Sequence, residues 1–313
     1  VLHDQAAAAS ASFEPRARPL ARLSRRAEPY LYSSPALILI VAVMLVPLVL
    51  GLSYSVRDIK LLDPFSGGYV GLAHFRELMG DRHFIRAFGN TLWWTFGSLF
   101  FQFFLGFLLA IILNRSFPGK RAAQALVFLP WAVPTFLSGL NWAWMFNPVV
   151  GPLPHWLYAA GVLEAPENIL ADPATAMWGP IVANIWYGIP FFAITLLAAL
   201  QSIPNELYEA ASIDGASEAQ QFRSITLPFL APTIAITLML RTVWIANFAD
   251  LIVVMTGGGP ADSTQIVASY IFTQAFRRLD FGYASAIAAV LLALLLLYSL
   301  AIIAIRRSLI RAG

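Results

Sequence analysis

The chain has 313 residues, 59% of them hydrophobic and only 12% charged. A soluble domain carries about a quarter charged residues, so this balance excludes an ordinary soluble protein and points to the bilayer. The formal charge of +3, from 20 Lys and Arg against 17 Asp and Glu, is too small to suggest a nucleic-acid partner.

Residues 1–34 are polar, alanine-rich and basic, with Arg16, Arg18, Arg22, Arg25 and Arg26. No small-residue cleavage site follows the first apolar run, so this stretch reads as a cytosolic tail leading into an uncleaved first span. A transmembrane domain is expected over 35–310. Within it six apolar stretches have about the twenty residues that a bilayer requires: 35–56, 91–113, 122–146, 177–200, 229–255 and 283–305. The predicted fold class is an all-α membrane protein of six transmembrane helices. An even number of spans puts both termini on one side. With the N-terminus inside, the inner segments hold twelve Lys and Arg and the outer loops seven, so both termini are expected in the cytoplasm.

The first outer loop, 57–90, mixes charges and reads as a connection capped by an interfacial helix. The loop 147–176 carries Glu164, Glu167 and Asp172 without Lys or Arg, which suits the outside. Pro47, Pro130, Pro134, Pro180, Pro190 and Pro232 lie within or beside the spans. Each removes a backbone donor and is able to kink its helix.

Residues 203–228 form a polar island between the fourth and fifth spans. Pro204 suits a first helical turn, and Glu206 to Ala211 read as helix. Gly215 breaks the helix, because glycine alone takes a left-handed conformation at little cost. Ser217 with Gln220 reads as a capping box opening a second short helix, which Pro228 is expected to end. The small Ala210 and Ala211 let such a device sit deep in a groove of another protein, and Glu209 and Asp214 offer negative charge to a basic partner. An ordinary loop helix has the same local signature.

The fifth span holds Arg241, Trp244, Asn247 and Asp250. Charges in a span are costly and mark a bundle interior or a water-filled route. Counted along a regular helix, Asn247 and Asp250 share a face, while Arg241 and Asp250 are half a turn out of phase and should not pair directly. Arg241 either snorkels or pairs with another subunit, or it lines a translocation path with its neighbours. Asn141, Trp144, Asn184 and Tyr187 are further pathway candidates. Gly257 and Gly258, in Thr256-Gly-Gly-Gly-Pro260, allow a sharp turn or a close backbone approach.

The run Glu209-Ala210-Ala211, then Asp214-Gly215-Ala216, Phe222, Ile225, Leu227 and Pro228, resembles the signature loop of ABC-importer permeases. The segments Asn247-Phe248-x-Asp250, Thr256 to Pro260, Gln274-Ala275-Phe276 and Gly282 to Ala286 resemble the maltose-type carbohydrate branch, and the likeness covers roughly residues 30–310. It implies a type I ABC importer permease fold with cytoplasmic coupling helices over 203–228, and ATPase-coupling roles for the signature residues. It also implies a second permease subunit, an ABC ATPase dimer, an outside substrate-binding protein (periplasmic or surface-anchored) and a sugar-like solute, with lipid around the spans. No catalytic residue is expected. ATP and Mg would belong to the ATPase, with no cofactor on this chain, since Gly119-Lys120 lacks the rest of a nucleotide loop.

The chain has no cysteine, and its four histidines include no pair at i, i+4, which argues against thiol chemistry and a zinc site. The alternative reading is a secondary transporter driven by an ion gradient. It would need membrane carboxylates and internal repeats, and only Asp250 offers the first.

Overall fold

A computed structural model describes residues 19–312, with side chains described over 29–305. The first part of the expected tail, 1–18, and the side chains of Arg22, Arg25, Arg26, Arg306, Arg307 and Arg311 lie outside the described residues. Among those described, every regular element is helical, and the chain divides into two units, up to Ser53 and from Tyr54.

The first unit consists of α1 (Pro19–Ile40), a wide π turn (Val41–Leu45) and most of α2 (Val46–Tyr54). The helix begins at Pro19, so the expected boundary between tail and first span at 34/35 falls inside it. The apolar part, Pro29–Tyr54, is long enough to cross a bilayer, and none of its most apolar window is buried. The π turn explains how Pro47 is tolerated here. In the π register the N–H of Val46 bonds to the carbonyl of Val41. The N–H that Pro47 lacks thus falls where the register changes, and its ring avoids the usual clash with the preceding turn.

The second unit contains α3 (Ala73–Gly80), α4 (Arg82–Asn114), α5 (Lys120–Ala132), α6 (Thr135–Met145), α7 (Pro152–Ala159), α8 (Trp178–Gln201), α9 (Asn205–Ile213) and α10 (Glu218–Gln221). A second π turn, Phe222–Thr226, leads into α11 (Leu227–Asn247), followed by α12 (Asp250–Met255), α13 (Val267–Phe272), a third π turn (Thr273–Arg277) and α14 (Phe281–Ala312). Five helical runs are long and apolar enough to span a membrane, and six if the bent pair α5–α6 is one span.

Three expectations change. The stretch 122–146 is two helices meeting at 95°. Val133 is extended at φ −94° and ψ 123°, as a residue before proline prefers, so Pro134 converts a kink into a corner. The stretch 229–255 is also broken, because Phe248 leaves the helix at φ −88° and ψ 83° and α12 starts afresh at Asp250. Pro228 does not end the second short helix of the 203–228 segment. The π turn before it plays the same part as the one before Pro47, with the Leu227 N–H bonded to Phe222, and the chain stays helical from Glu218 to Asn247.

α4 and α8 pack along their length and α11 lies against both. They approach closely because glycines stand at the contacts, as is common between membrane helices. A Cβ on Gly106 would lie 2.5 Å from Cβ of Phe192 and 3.0 Å from the carbonyl of Ile189. Trp94 is fully buried and donates its indole N–H to the carbonyl of Ile245, 2.8 Å away, pinning α4 to α11. We expect Gly106→Val to push α4 off α8 and cost about 1–3 kcal/mol, the usual penalty of overpacking. A lowered midpoint of thermal unfolding in detergent would report it, and an unchanged midpoint would show that the contact yields.

Candidate functional site

The polar features gather at three levels: the two ends of the bundle and a cavity between them. At one end the 203–228 segment folds largely as its local signals dictate. Pro204 precedes α9 in an extended conformation. Gly215 has φ +78°, and the N–H of Ala216 reaches back to the carbonyl of Ala211 at 2.9 Å, the closing bond of a glycine-stopped helix. Ser217 then caps α10 in a complete capping box with Gln220.

Three contacts that the sequence did not suggest lock the helices into one piece. Gln221 donates to Oγ of Ser212 (2.9 Å) and to the carbonyl of Ala216 (3.2 Å), and the hydroxyls of Tyr208 and Thr226 lie 2.9 Å apart. Glu209, Ala210, Asp214, Gly215, Leu227 and Pro228 are exposed, while Ala211, Ala216, Phe222 and Ile225 are half-buried. Ile213 at the tip is 87% exposed. Phe222 turns inward to within 6.2 Å of the ring of Phe107 on α4. A groove of about 800 Å³ runs beneath the device, bordered by Asn114, Arg115, Tyr208, Glu209, Glu218 and Phe222.

The cavity, of about 360 Å³, is lined by Trp131, Tyr187, Arg241, Trp244, Asn247 and Phe248, among others. Four of the pathway candidates therefore meet. The break after Asn247 aims Phe248 at Tyr187, and the rings stack at 5.7 Å and 20°. Trp131, which no sequence pattern singles out, donates to the carbonyl of Tyr187 at 2.9 Å. Arg241 is only 5% exposed. Its Nε donates to Oε1 of Gln102 at 2.7 Å, and Gln102 in turn donates to the backbone carbonyl of Asn184 at 2.8 Å. The guanidinium lies 5.9 Å from the centre of the Phe191 ring. Gly188 makes room for Gln102, whose amide would lie about 2.0 Å from a Cβ there.

The other candidates lie elsewhere. The Asn184 side chain is sealed in the core, with both amide atoms lacking a partner among the described residues. Asn141 and Trp144 are exposed on α6, and it is Trp142 that packs inward against Trp186. Asp250 accepts from Thr135 at 3.2 Å. Because α11 ends at Asn247, a helical phase count from Arg241 or Asn247 to Asp250 does not apply. Gly257 and Gly258 have φ +62° and +91° and belong to the turn after α12. Gln102 belongs to the group around Arg241 as well. A lone amide within the run Phe100 to Gly106 is itself a signal of a polar contact inside a span.

At the far end, the 256–266 turn is tied to α4. His83 Nδ1 lies 2.7 Å from Oδ2 of Asp262, Asn90 donates to the carbonyls of Asp262 and Gln265, and Arg86 to that of Ala261. Asp81 caps α4 and accepts from the hydroxyls of Tyr270 (2.6 Å) and Tyr283 (2.7 Å). Burial pushes the Asp81 carboxyl up, but these hydroxyls and the N–H groups of His83 and Phe84 outweigh it, and the group titrates below its ordinary value. Burial, then the hydrogen bond to Asp81, raises the Tyr270 hydroxyl. A depressed carboxylate contributes stability above its unfolded pKa of about 3.9 and loses it as pH falls through the folded value. Asp81→Asn should therefore be less stable than the parent at pH 7, by about 1–3 kcal/mol. The difference should shrink below about pH 4. Thermal unfolding at both pH values checks this, and a gap that persists in acid would contradict it.

These features define a multi-span permease: an apolar bundle, a largely aromatic cavity with a few polar groups, and a two-helix projection at one end. Residues 102–311 match the family described as the binding-protein-dependent transport system inner membrane component, and the chain belongs to that family. It is 35% identical to a probable ABC transporter permease protein of Brucella suis over 280 residues, 88% of this chain and 96% of the relative. It is 34% identical to the trehalose/maltose transport system permease protein MalF of Thermococcus litoralis, over 89% of this chain and 93% of that one. The solved structure of a bacterial ABC transporter involved in the import of the acidic polysaccharide alginate contains a chain 26% identical to it. That match has a TM-score of 0.79 and covers 92% of this chain and 98% of the other. The chain is thus a multi-pass inner-membrane permease of an ABC importer and a transport subunit, not an enzyme.

Proposed function

We propose that this chain is one of two permease subunits of an ATP-driven importer for a carbohydrate or carbohydrate derivative. A separate ATPase dimer carries ATP and Mg and drives it through the 203–228 projection, and an outside binding protein delivers the solute. Both termini lie in the cytoplasm.

The observation that carries this reading is the projection itself. Its helices are held to each other by Gln221 and by the Tyr208–Thr226 contact, and the second runs unbroken into α11. A displacement applied to α9 and α10 is therefore transmitted to the helix that bears Arg241, Trp244 and Asn247. The solute occupies the cavity, where Tyr187, Trp244 and Phe248 offer aromatic faces and Asn247 and Arg241 offer polar groups. Sugars suit such a lining, since their ring faces pack on aromatics and their hydroxyls need polar partners. The relatives named for trehalose and maltose and for alginate support a carbohydrate. Binding of ATP by the partner favours one arrangement of the spans, and its release the other.

The test is ATPase activity of the assembly in proteoliposomes, with binding protein and a panel of sugars. Stimulation by one sugar, abolished by vanadate, is the expected result. Sugar uptake that follows an ion gradient and proceeds without the ATPase would instead support a secondary transporter.

A further inference from the structure

Arg241 poses a problem that the proposed function leaves open. It is 5% exposed, in a helix that spans the membrane, and a cation in that position needs a counter-charge. Gln102 satisfies Nε but supplies no charge. The ion pairs among the described residues, Lys60–Asp58 and His83–Asp262, lie elsewhere, and Asp250 bonds to Thr135 instead. The two terminal nitrogens have no hydrogen-bond partner among the described residues, yet they are not among the sealed, unpartnered atoms of the core. They therefore keep contact with the cavity that Arg241 lines. With Nε held by Gln102 and the Phe191 ring nearby, the guanidinium is held in place with its terminal donors free. Two parallel donors match a planar carboxylate, or two oxygens of a sulfonate or phosphate.

We infer that the solute is anionic: a sugar acid or a sulfonated or phosphorylated sugar derivative, whose charged group docks on the terminal nitrogens of Arg241 while its ring lies against Trp244 and Tyr187. This rests on the reading of the cavity as the solute site. The aromatic faces hold the sugar ring, and Arg241 selects the charge. A neutral sugar would leave the cation unpaired and be the poorer substrate.

The experiment uses the complete assembly (this chain, its partner permease, the ATPase and the binding protein) in proteoliposomes. Uptake is compared within matched pairs: cellobiose against its uronate, and trehalose against trehalose 6-phosphate. The anionic member of a pair should be taken up at least about tenfold faster, and Arg241→Met should remove that preference. Arg241→Lys, which keeps the charge but not the two-pronged geometry, should retain part of it. Uptake of the neutral member equal to or faster than that of the anion would overturn the inference. So would an Arg241→Met variant with unchanged anion uptake, or one that lowers uptake of both members equally, which would make the arginine structural. If Arg241→Met does not assemble, the matched-pair comparison and Arg241→Lys in the parent assembly still decide. Trp244→Ala separates the two levels of the argument. If it leaves uptake of every solute unchanged, the cavity is not the solute site and both readings fall. If it impairs uptake while the neutral sugar is preferred, only the anionic inference fails.

Discussion

Gly215→Pro is expected to abolish ATP-driven uptake while leaving the permease inserted and assembled. Gly215 has φ +78°, whereas proline is fixed near −65°, and the Gly215 N–H bonds to the carbonyl of Ser212 at 3.1 Å. Proline therefore cannot keep this turn: it loses the bond and forces a different backbone course. It would reorient α9 relative to α10 and break the hold of Gln221 on Ser212. The damage should stay local, because the turn is exposed and open space surrounds it. Gly215→Ala is the control. Nothing lies within 4 Å of its Cβ, so it meets only the left-handed backbone penalty of about 1–2 kcal/mol and should retain most activity. Glu209→Lys, which reverses an exposed charge at the edge of the groove, should also uncouple without unfolding. Uptake and ATPase rates in proteoliposomes, with gel filtration to confirm assembly, measure all three. Normal uptake by the proline variant would remove the projection from the transport cycle.

Gln102→Leu should be the most damaging change inside the bundle. It deletes the acceptor for Nε of Arg241 and the donor to the Asn184 carbonyl, both in the buried seam between α4, α8 and α11. Leaving a buried polar group without its hydrogen-bond partner costs about 1–3 kcal/mol, and more where the group is charged as Arg241 is. The leucine must also fit the space that Gly188 leaves for a flat amide. A large fall in the detergent unfolding midpoint and loss of uptake are expected. Gln102→Glu, which keeps the shape and supplies a charge, should restore stability but cancel the positive character of the cavity. Wild-type stability in the leucine variant would show that Arg241 has another partner.

The sequence was most informative where the physics is local. The helix over Glu206–Ala211, the Gly215 stop and the Ser217–Gln220 box each depend on residues only a few positions apart, and all three stand in the structure. Pro134 was visible as a helix breaker, but the 95° corner it makes depends on how α6 packs against α8 and α12. The break at Phe248 has no proline or glycine to announce it. It accompanies the stacking of Phe248 on Tyr187, 61 residues away in a different helix. The contact between Gln102 and Arg241 joins residues 139 apart and became legible only once α4 and α11 were in place. Arg241, Trp244, Tyr187 and Asn247 could each be singled out as polar or aromatic residues in apolar spans. Which of them share a cavity, and that Asn141 and Trp144 do not join them, is set by the packing of the helices.

The most direct measurement exploits the absence of cysteine from the chain. Ile213→Cys places one thiol at the tip of the projection, where the parent side chain is 87% exposed. Labelled with a photo-activated cross-linker and assembled with its ATPase, this position should give a covalent product with the ATPase, in a yield that changes when ATP is added. Efficient cross-linking to lipid or to the outside binding protein, with none to the ATPase in any nucleotide state, would contradict the account.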